Sequence, residues 1–221
     1  MKIALINENS QAAKNAQVEE VLKKVVEPKG HEVFNYGMYS AEDEHQLTYV
    51  QNGILAAILL NSGAADYVVT GCGTGEGAML ACNAFPGVLC GHIVDPSDAY
   101  MFAQINDGNA IALPFAKGFG WGAVCGAWMS PCRLAIAPMQ DLFEGESGQG
   151  YPKERVVPEQ RNKKILDEVK KVTHNDLCTI LKNLDRELVK GAIAGDRFSE
   201  YFFANCKCEK IAACVKELLE A

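Results

Sequence analysis

The stretch Ala65-Asp66-Tyr67-Val68-Val69-Thr70-Gly71-Cys72-Gly73-Thr74-Gly75-Glu76-Gly77, followed by the small-residue run Ala78–Ala84, decides the fold. A β-branched and aromatic run reads as a buried strand, three glycines in five residues read as a loop, and the small residues after them read as a helix. Phe85-Pro86-Gly87 then stops that helix. The unit is strand, glycine loop, helix.

Working outward, the same alternation recurs. Lys2–Ile6 is a short apolar strand ending in the polar cluster Asn7-Glu8-Asn9-Ser10. Ala12, Ala16, Val18, Leu22 and Val25 are spaced for a helix from Gln11 to about Val26, which Pro28-Lys29-Gly30 ends. His31–Tyr36 reads as a strand, Ser40–His45 as a charged loop, and Leu47–Asn61 as a mostly apolar helix closed by Gly63. Beyond the glycine loop come a strand at Val88–Val94 and a helix start at Asp95-Pro96-Ser97-Asp98. A helix over Ala99–Ile105, a turn at Asn106–Asn109 and a last strand at Ala110–Pro114 follow. Repeated βα units of this length predict an α/β, doubly wound, Rossmann-like parallel sheet with ligands at the carboxyl ends of its strands.

The remainder is different. Arg161–Val172, Asp176–Val189 and Lys207–Leu219 read as helices after the Gly- and Pro-rich stretch Gly145–Pro158. The expected organisation is an α/β domain over residues 1–144 and a loop with a C-terminal helical extension over 145–221. Val124–Met139, with Trp128, Pro131, Pro138 and two cysteines, fits no regular period.

The chain has 221 residues, 48% of them hydrophobic, enough for a full core and too apolar for general disorder. A formal charge of −7 argues against nucleic acid or an anionic membrane as partner, because both need a basic surface. No long apolar run predicts a membrane span, and the N-terminal apolar stretch is too short for a signal peptide. Nine cysteines, an odd number, fit a reducing cytoplasm better than a disulfide framework. Cys206-x-Cys208 with Cys214 lacks the paired spacing and histidines of a zinc site, so no metal is expected.

The glycines of the Cys72 loop let backbone amides turn toward a ligand, and the helix behind them adds positive potential at its N-terminus. A thiolate in that field can act as base or nucleophile; the plain alternative is that Cys72 is simply small. The loop has neither the Gly-Lys-Ser/Thr of a Walker A motif nor a dinucleotide fingerprint on the first strand.

Cys72-Gly73-Thr74-Gly75-x-Gly77 with Asn83, Pro86-Gly87, and Asn106-Asp107-x-Asn109 together resemble the ribose-5-phosphate isomerase B and galactose-6-phosphate isomerase family. The likeness runs from Lys2 to about Pro114 and more weakly to Arg155. It implies cofactor-independent aldose–ketose isomerisation through a cis-enediol, in homodimers or homotetramers with sites between subunits. Carried onto this chain, Cys72 is the proton-transfer base and Thr74 binds the substrate oxygens. The amides of Gly73, Gly75 and Gly77 hold the enediolate, while Asn106 and Asp107 orient substrate and loop.

The departures are informative. Glu8-Asn9 stand where the family has Asp-His, Ile105 replaces the ring-opening histidine, and Tyr151 replaces one of two phosphate-binding arginines, the other surviving as Arg155. That set of losses suits a substrate that is already open-chain, or one whose anion is a single carboxylate rather than a dianion. A longer branch of the family, which isomerises 4-deoxy-5-ketouronates, resembles this chain in its Asn-Glu-Asn-Ser start, Gly118-Phe119-Gly120-Trp121-Gly122 and Tyr151-Pro152-Lys153-Glu154-Arg155. Ribose or galactose phosphate isomerisation, or a catalytically silent sugar-acid-binding subunit, are the alternatives. His45 and His92 are candidates for the missing acid, against solvation for His45 and burial in a strand for His92. Glu76 reads as an auxiliary base or as a first-turn acid on the helix dipole. Trp121 reads as packing, and His31 and His174 as structural or exposed.

Overall fold

The computed structural model describes residues 1–116 and 176–220. Five strands, β1 (Lys2–Ile6), β2 (Glu32–Asn35), β3 (Tyr67–Cys72), β4 (Cys90–His92) and β5 (Ala110–Pro114), form one sheet in the order β2-β1-β3-β5-β4. Every pairing is parallel. The doubly wound reading is therefore correct.

Strand alternation sorts the core into two faces. Ile3, Leu5, Tyr67, Val69, Ile111 and Leu113 point toward α1 (Asn15–Val26) and α4 (Pro96–Met101). Ala4, Ile6, Val68, Cys72, Ala110 and Ala112 point the other way, toward α2 (Tyr49–Ser62) and α3 (Glu76–Asn83). The small alanines on that second face let α2 lie close to the sheet. Gly53 of α2 does the same against α3, since a Cβ there would come within 2.5 Å of the Ala81 backbone.

The C-terminal helices share this second face. They are α5 (Leu177–Asn183), α6 (Arg186–Ile193), α7 (Asp196–Asn205) and α8 (Glu209–Glu220). Leu181, Val189, Phe198, Phe202 and Val215 belong to the same apolar cluster as Ile54–Leu59 of α2. Those six α2 residues are all fully buried, because the sheet covers one side and the C-terminal helices the other. A helix that is apolar all round requires such a double cover. The aromatic residues of α7 pack on the β2 edge: Phe34 meets Tyr201 and Tyr36 meets Phe198 edge-on, and Phe198 stacks on Phe202 at 5.1 Å.

Local chemistry explains most boundaries and some departures from expectation. Thr48 and Gln51 form a capping box at the start of α2, and Gly63, at φ +68°, ends it. The helix expected from Gln11 begins instead as a 3₁₀ turn, Asn9–Lys14, kinked at Gln11, with regular α-helix only from Asn15. The single helix expected over Asp176–Val189 is two, because Leu184 turns extended and the Asp185 side chain caps the Leu188 amide. Helix α7 was not expected at all. Strand β4 is shorter than the expected Val88–Val94, and Arg161–Val172 and Val124–Met139 lie outside the described residues. No helix among those described is long and apolar enough to cross a membrane.

Candidate active site

Strand β1 leads to α1 on one face of the sheet, and β3 leads to α3 on the other. The carboxyl ends of these adjacent strands therefore flank a crevice at the point where the winding reverses, the place where such folds bind ligands. Beneath it, three buried polar groups tie the two strands together. Thr70 Oγ1 donates to the Ile6 carbonyl at 2.6 Å, and Asn52 Nδ2 donates to that carbonyl at 3.1 Å and to Thr70 Oγ1 at 3.0 Å. Each unpaired group there would incur a desolvation cost, so the arrangement fixes the spacing.

Cys72 ends β3 at this crevice, 6% exposed, with its carbonyl taken by the Phe115 amide at 2.9 Å. The Gly75 amide donates to Cys72 Sγ at 3.2 Å. The expected role of that amide is to hold a substrate oxygen; here it donates to the sulfur, and the first-turn amides of α3 have no intrahelical acceptor. Gly75 has φ +79° and is the N-cap of α3. Thr74 is exposed at the loop tip, and its carbonyl accepts from His92 Nε2 at 2.9 Å. His92 is half-buried, not enclosed in the strand, and its ring lies against Gly75. It thus props the loop. Glu76 occupies the first turn of α3 and is exposed, where it complements the helix dipole.

The loop after β1 forms the other wall. Glu8 is 3% exposed and its carboxylate accepts from the Ser10 amide at 2.9 Å and from the Ser10 hydroxyl. Asn9 is exposed and its amide donates to the Leu47 carbonyl at 2.9 Å. Gln11 lies beside Gly73, its Nε2 3.9 Å from where a Cβ there would sit. Lys14 donates from Nζ to the Phe115 carbonyl at 2.8 Å and to Gln11 Oε1. Burial holds its ammonium below the ordinary lysine range. The exposed ring of Tyr49, first residue of α2, flanks Gly77. Gln11, Lys14 and Tyr49 were not singled out from sequence. The signal was available for the first two, since a residue one turn past the β1 loop must return to the carboxyl edge of the sheet.

Asn106 and Asp107 are not brought to Cys72 within one chain. They precede β5, where Asn109 accepts the Val68 amide at 3.0 Å; Cys72 lies four strand residues further, about 13 Å away along the sheet. Asp107 sits at φ +46° in the turn, and Asn109 staples it to Gly87 and Leu89. Arg155, Tyr151, Trp121 and His174 lie outside the described residues. His45 Nε2 bonds the Gly191 carbonyl at 2.5 Å, tying the charged loop to α6. It lines a cleft of about 500 Å³ with Tyr39, Asp43 and Arg197, and the Arg197 guanidinium lies 3.3 Å over the Tyr39 ring. Burial pushes the Cys214 thiol up to about 12. Among the described residues no group of three metal-ligating side chains converges.

Comparison with known proteins agrees with this geometry. A family model described as ribose/galactose isomerase matches residues 3–127, and another, described as ribose-5-phosphate isomerase, matches residues 172–218. Ribose-5-phosphate isomerase B of Escherichia coli strain K12 is 31% identical over 94 residues, 42% of this chain and 60% of that protein's length. A crystal structure of a 4-deoxy-L-threo-5-hexosulose-uronate ketol-isomerase complexed with a tartrate is 59% identical over 100% of both chains, with a TM-score of 0.88. The ribose-5-phosphate isomerase of Vibrio parahaemolyticus is 50% identical over 99% of both chains, also at 0.88. Ribose-5-phosphate isomerase B of Clostridium thermocellum, 21% identical, covers 76% of this chain and 99% of its own at a TM-score of 0.55, a likeness of fold alone.

Proposed function

This chain belongs to the ribose/galactose isomerase family, and on that premise we propose that it is an aldose–ketose isomerase of an open-chain acidic sugar, a 4-deoxy-5-ketouronate. The observation that carries the reading is the Cys72 loop, a thiol at the mouth of the winding-reversal crevice with a backbone amide aimed at its sulfur. The full-length likeness to a ketol-isomerase of that substrate class supports it.

In the proposed reaction the Cys72 thiolate takes the proton from C2 of the aldose, and the electron pair moves to give the enediolate. Amides at the start of α3 receive its oxygen, a preorganised site that needs no rearrangement as charge develops. The thiol returns its proton to C1 while a proton shifts between the two oxygens, leaving the ketose. No redox partner enters the balance. Thr74, at the loop tip, binds the substrate hydroxyls, and Glu8-Asn9 flank the opposite wall. The separation of Asn106-Asp107 from Cys72 supports a homodimer or homotetramer in which a second copy presents that turn to the site. Arg155 is a further anion contact on the family pattern, and the proposed location is the cytoplasm.

A substrate panel followed by NMR in deuterated water tests the reading. Turnover of the ketouronate with solvent deuterium at the product C1 is expected, and Cys72→Ala should lower kcat by roughly 10²- to 10⁴-fold, the usual worth of a positioned base. Turnover of ribose 5-phosphate alone would replace the substrate, as the Vibrio relative suggests. A fully active Cys72→Ala variant would remove the base.

A further inference from the structure

We propose that Phe102 is a positioning residue that sets the placement of Asn106, an assignment that rests on the isomerase reading above and on a second copy presenting the Asn106-Asp107 turn. Asn106 is exposed, and no hydrogen bond among the described residues holds its side chain. Asp107 follows it at φ +46° and ψ +44°, alone in the left-handed region among the described non-glycine residues. An L residue keeps that conformation only where its surroundings hold it. The question is what holds this turn.

Two braces do so. Asn109 fixes its foot: the Asn109 amide donates to the Leu89 carbonyl at 3.1 Å, Oδ1 accepts the Leu89 amide at 2.8 Å, and Nδ2 donates to the Gly87 carbonyl at 2.8 Å. Phe102 fixes its other side. A Cβ at Gly108 would stand 2.1 Å from Phe102 Cζ, and one at Gly91 would stand 2.7 Å from Cδ2 and Cε2. The ring is wedged between the edge strand β4 and the turn, in a slot that two glycines leave open. Phe102 also begins a π-helical stretch, Phe102–Asn106, directly after α4. A π turn takes up more residues than an α turn, so Asn106 leaves the helix at a different angle from an α continuation. The ring is anchored at one end of that stretch and Asn106 stands at the other.

Burial alone does not account for this placement. Phe102 is only half-buried and packs at the margin of an apolar cluster that Ile93, Ala99 and Ile111 fill. What the tip of its ring meets is the turn. Shortening the side chain opens the slot beside Gly108 and lets the turn shift. A displacement of about 1 Å at a group that orients a substrate lowers a rate by about 100-fold. Phe102 touches no reacting atom on this reading; it acts through Asn106.

The test is a double-mutant cycle of Phe102→Ala and Asn106→Ala, read as kcat and KM on 4-deoxy-L-threo-5-hexosulose-uronate or, if that is not turned over, on ribose 5-phosphate. Phe102→Ala is expected to lower kcat by about 100-fold in the wild-type background and to have no further effect beside Asn106→Ala. Phe102→Leu, which refills most of the slot, should recover part of the rate, and it carries the same cycle if Phe102→Ala does not fold. Co-expression of Phe102→Ala with Cys72→Ala tests which copy the turn serves. A mixed dimer pairs an intact thiol from one chain with an intact turn from the other, so a random mixture should regain roughly a quarter of wild-type activity. Wild-type kcat in Phe102→Ala or in Asn106→Ala, or an equal loss from Phe102→Ala with and without Asn106→Ala, overturns the positioning role and leaves the isomerase reading intact. A mixture that regains nothing overturns presentation of the turn to a second copy. A wild type that turns over neither sugar removes the isomerase reading, and the assignment with it.

Discussion

Gly75 and Gly30 form a matched pair for testing how rigidly the Cys72 loop is held. Both have strongly positive φ, +79° and +83°, but a Cβ at Gly30 would meet nothing within 4 Å. At Gly75 it would lie 2.8 Å from the His92 ring and 3.0 Å from the Leu113 carbonyl carbon. Gly30→Ala should therefore carry only the left-handed backbone cost, about 1 kcal/mol. Gly75→Ala carries the same cost and forces His92 aside. That sacrifices its 2.9 Å bond to the Thr74 carbonyl, worth about 1 kcal/mol, and presses on the β5 backbone. A total of about 2–4 kcal/mol is expected. Displacing the Gly75 amide from Cys72 Sγ should also lower kcat by about 100-fold, whereas Gly30→Ala should keep wild-type kcat. Urea denaturation followed by circular dichroism gives the stabilities, and initial rates give kcat. Adding His92→Ala to Gly75→Ala should recover part of the stability loss, because the ring is what the methyl strikes. Equal midpoints and equal kcat for Gly30→Ala and Gly75→Ala would refute the claim that His92 and β5 brace the loop.

Two further predictions address the core and the pH response. Phe198→Ala should lower global stability by about 3–5 kcal/mol in one cooperative transition that also exposes the β3 amides to hydrogen exchange; an unchanged β3 would show that the C-terminal helices fold apart from the sheet. His31 has its pKa lowered by burial and then by the neighbouring Met1 amino group and Lys29. The unfolded chain therefore binds the proton more readily, so this stability contribution is present above about pH 6.5 and is lost as pH falls through the folded value. Urea titrations of His31→Gln between about pH 7 and pH 5 should show a shallower decline than wild type, and a steeper one would contradict the sign.

The sheet was legible because its strands are buried on both faces and bounded by glycine and proline. Tyr67–Cys72 and Ala110–Pro114 are apolar runs that leave no competing period. The glycine loop after β3 was legible too, since three close glycines break any regular period. Helix α7 carried a legible signal that was passed over: Phe198, Tyr201 and Phe202 stand at i, i+3 and i+4 on one face, with Phe203 exposed off it. A signal for the whole C-terminal layer also lay in Ile54-Leu55-Ala56-Ala57-Ile58-Leu59. A helix with no polar side needs a second cover, and the C-terminal helices supply it. Lys14 escaped notice because a lysine entering an amphipathic helix looks like solvent-facing charge. The kink at Gln11, which periodicity does not report, sets the start of α1 back to Asn15.

The buried tie among Ile6, Asn52 and Thr70 has a consequence for how such a protein changes over time. It sits below the crevice and spends its hydrogen bonds on the strand ends themselves, not on the loops above. Residues of the β1 loop can therefore be exchanged without shifting the distance to the thiol across the gap. The two loops above the tie are mechanically insulated from each other. A scaffold built this way can alter one rim of its crevice while the Cys72 loop on the other stays in place.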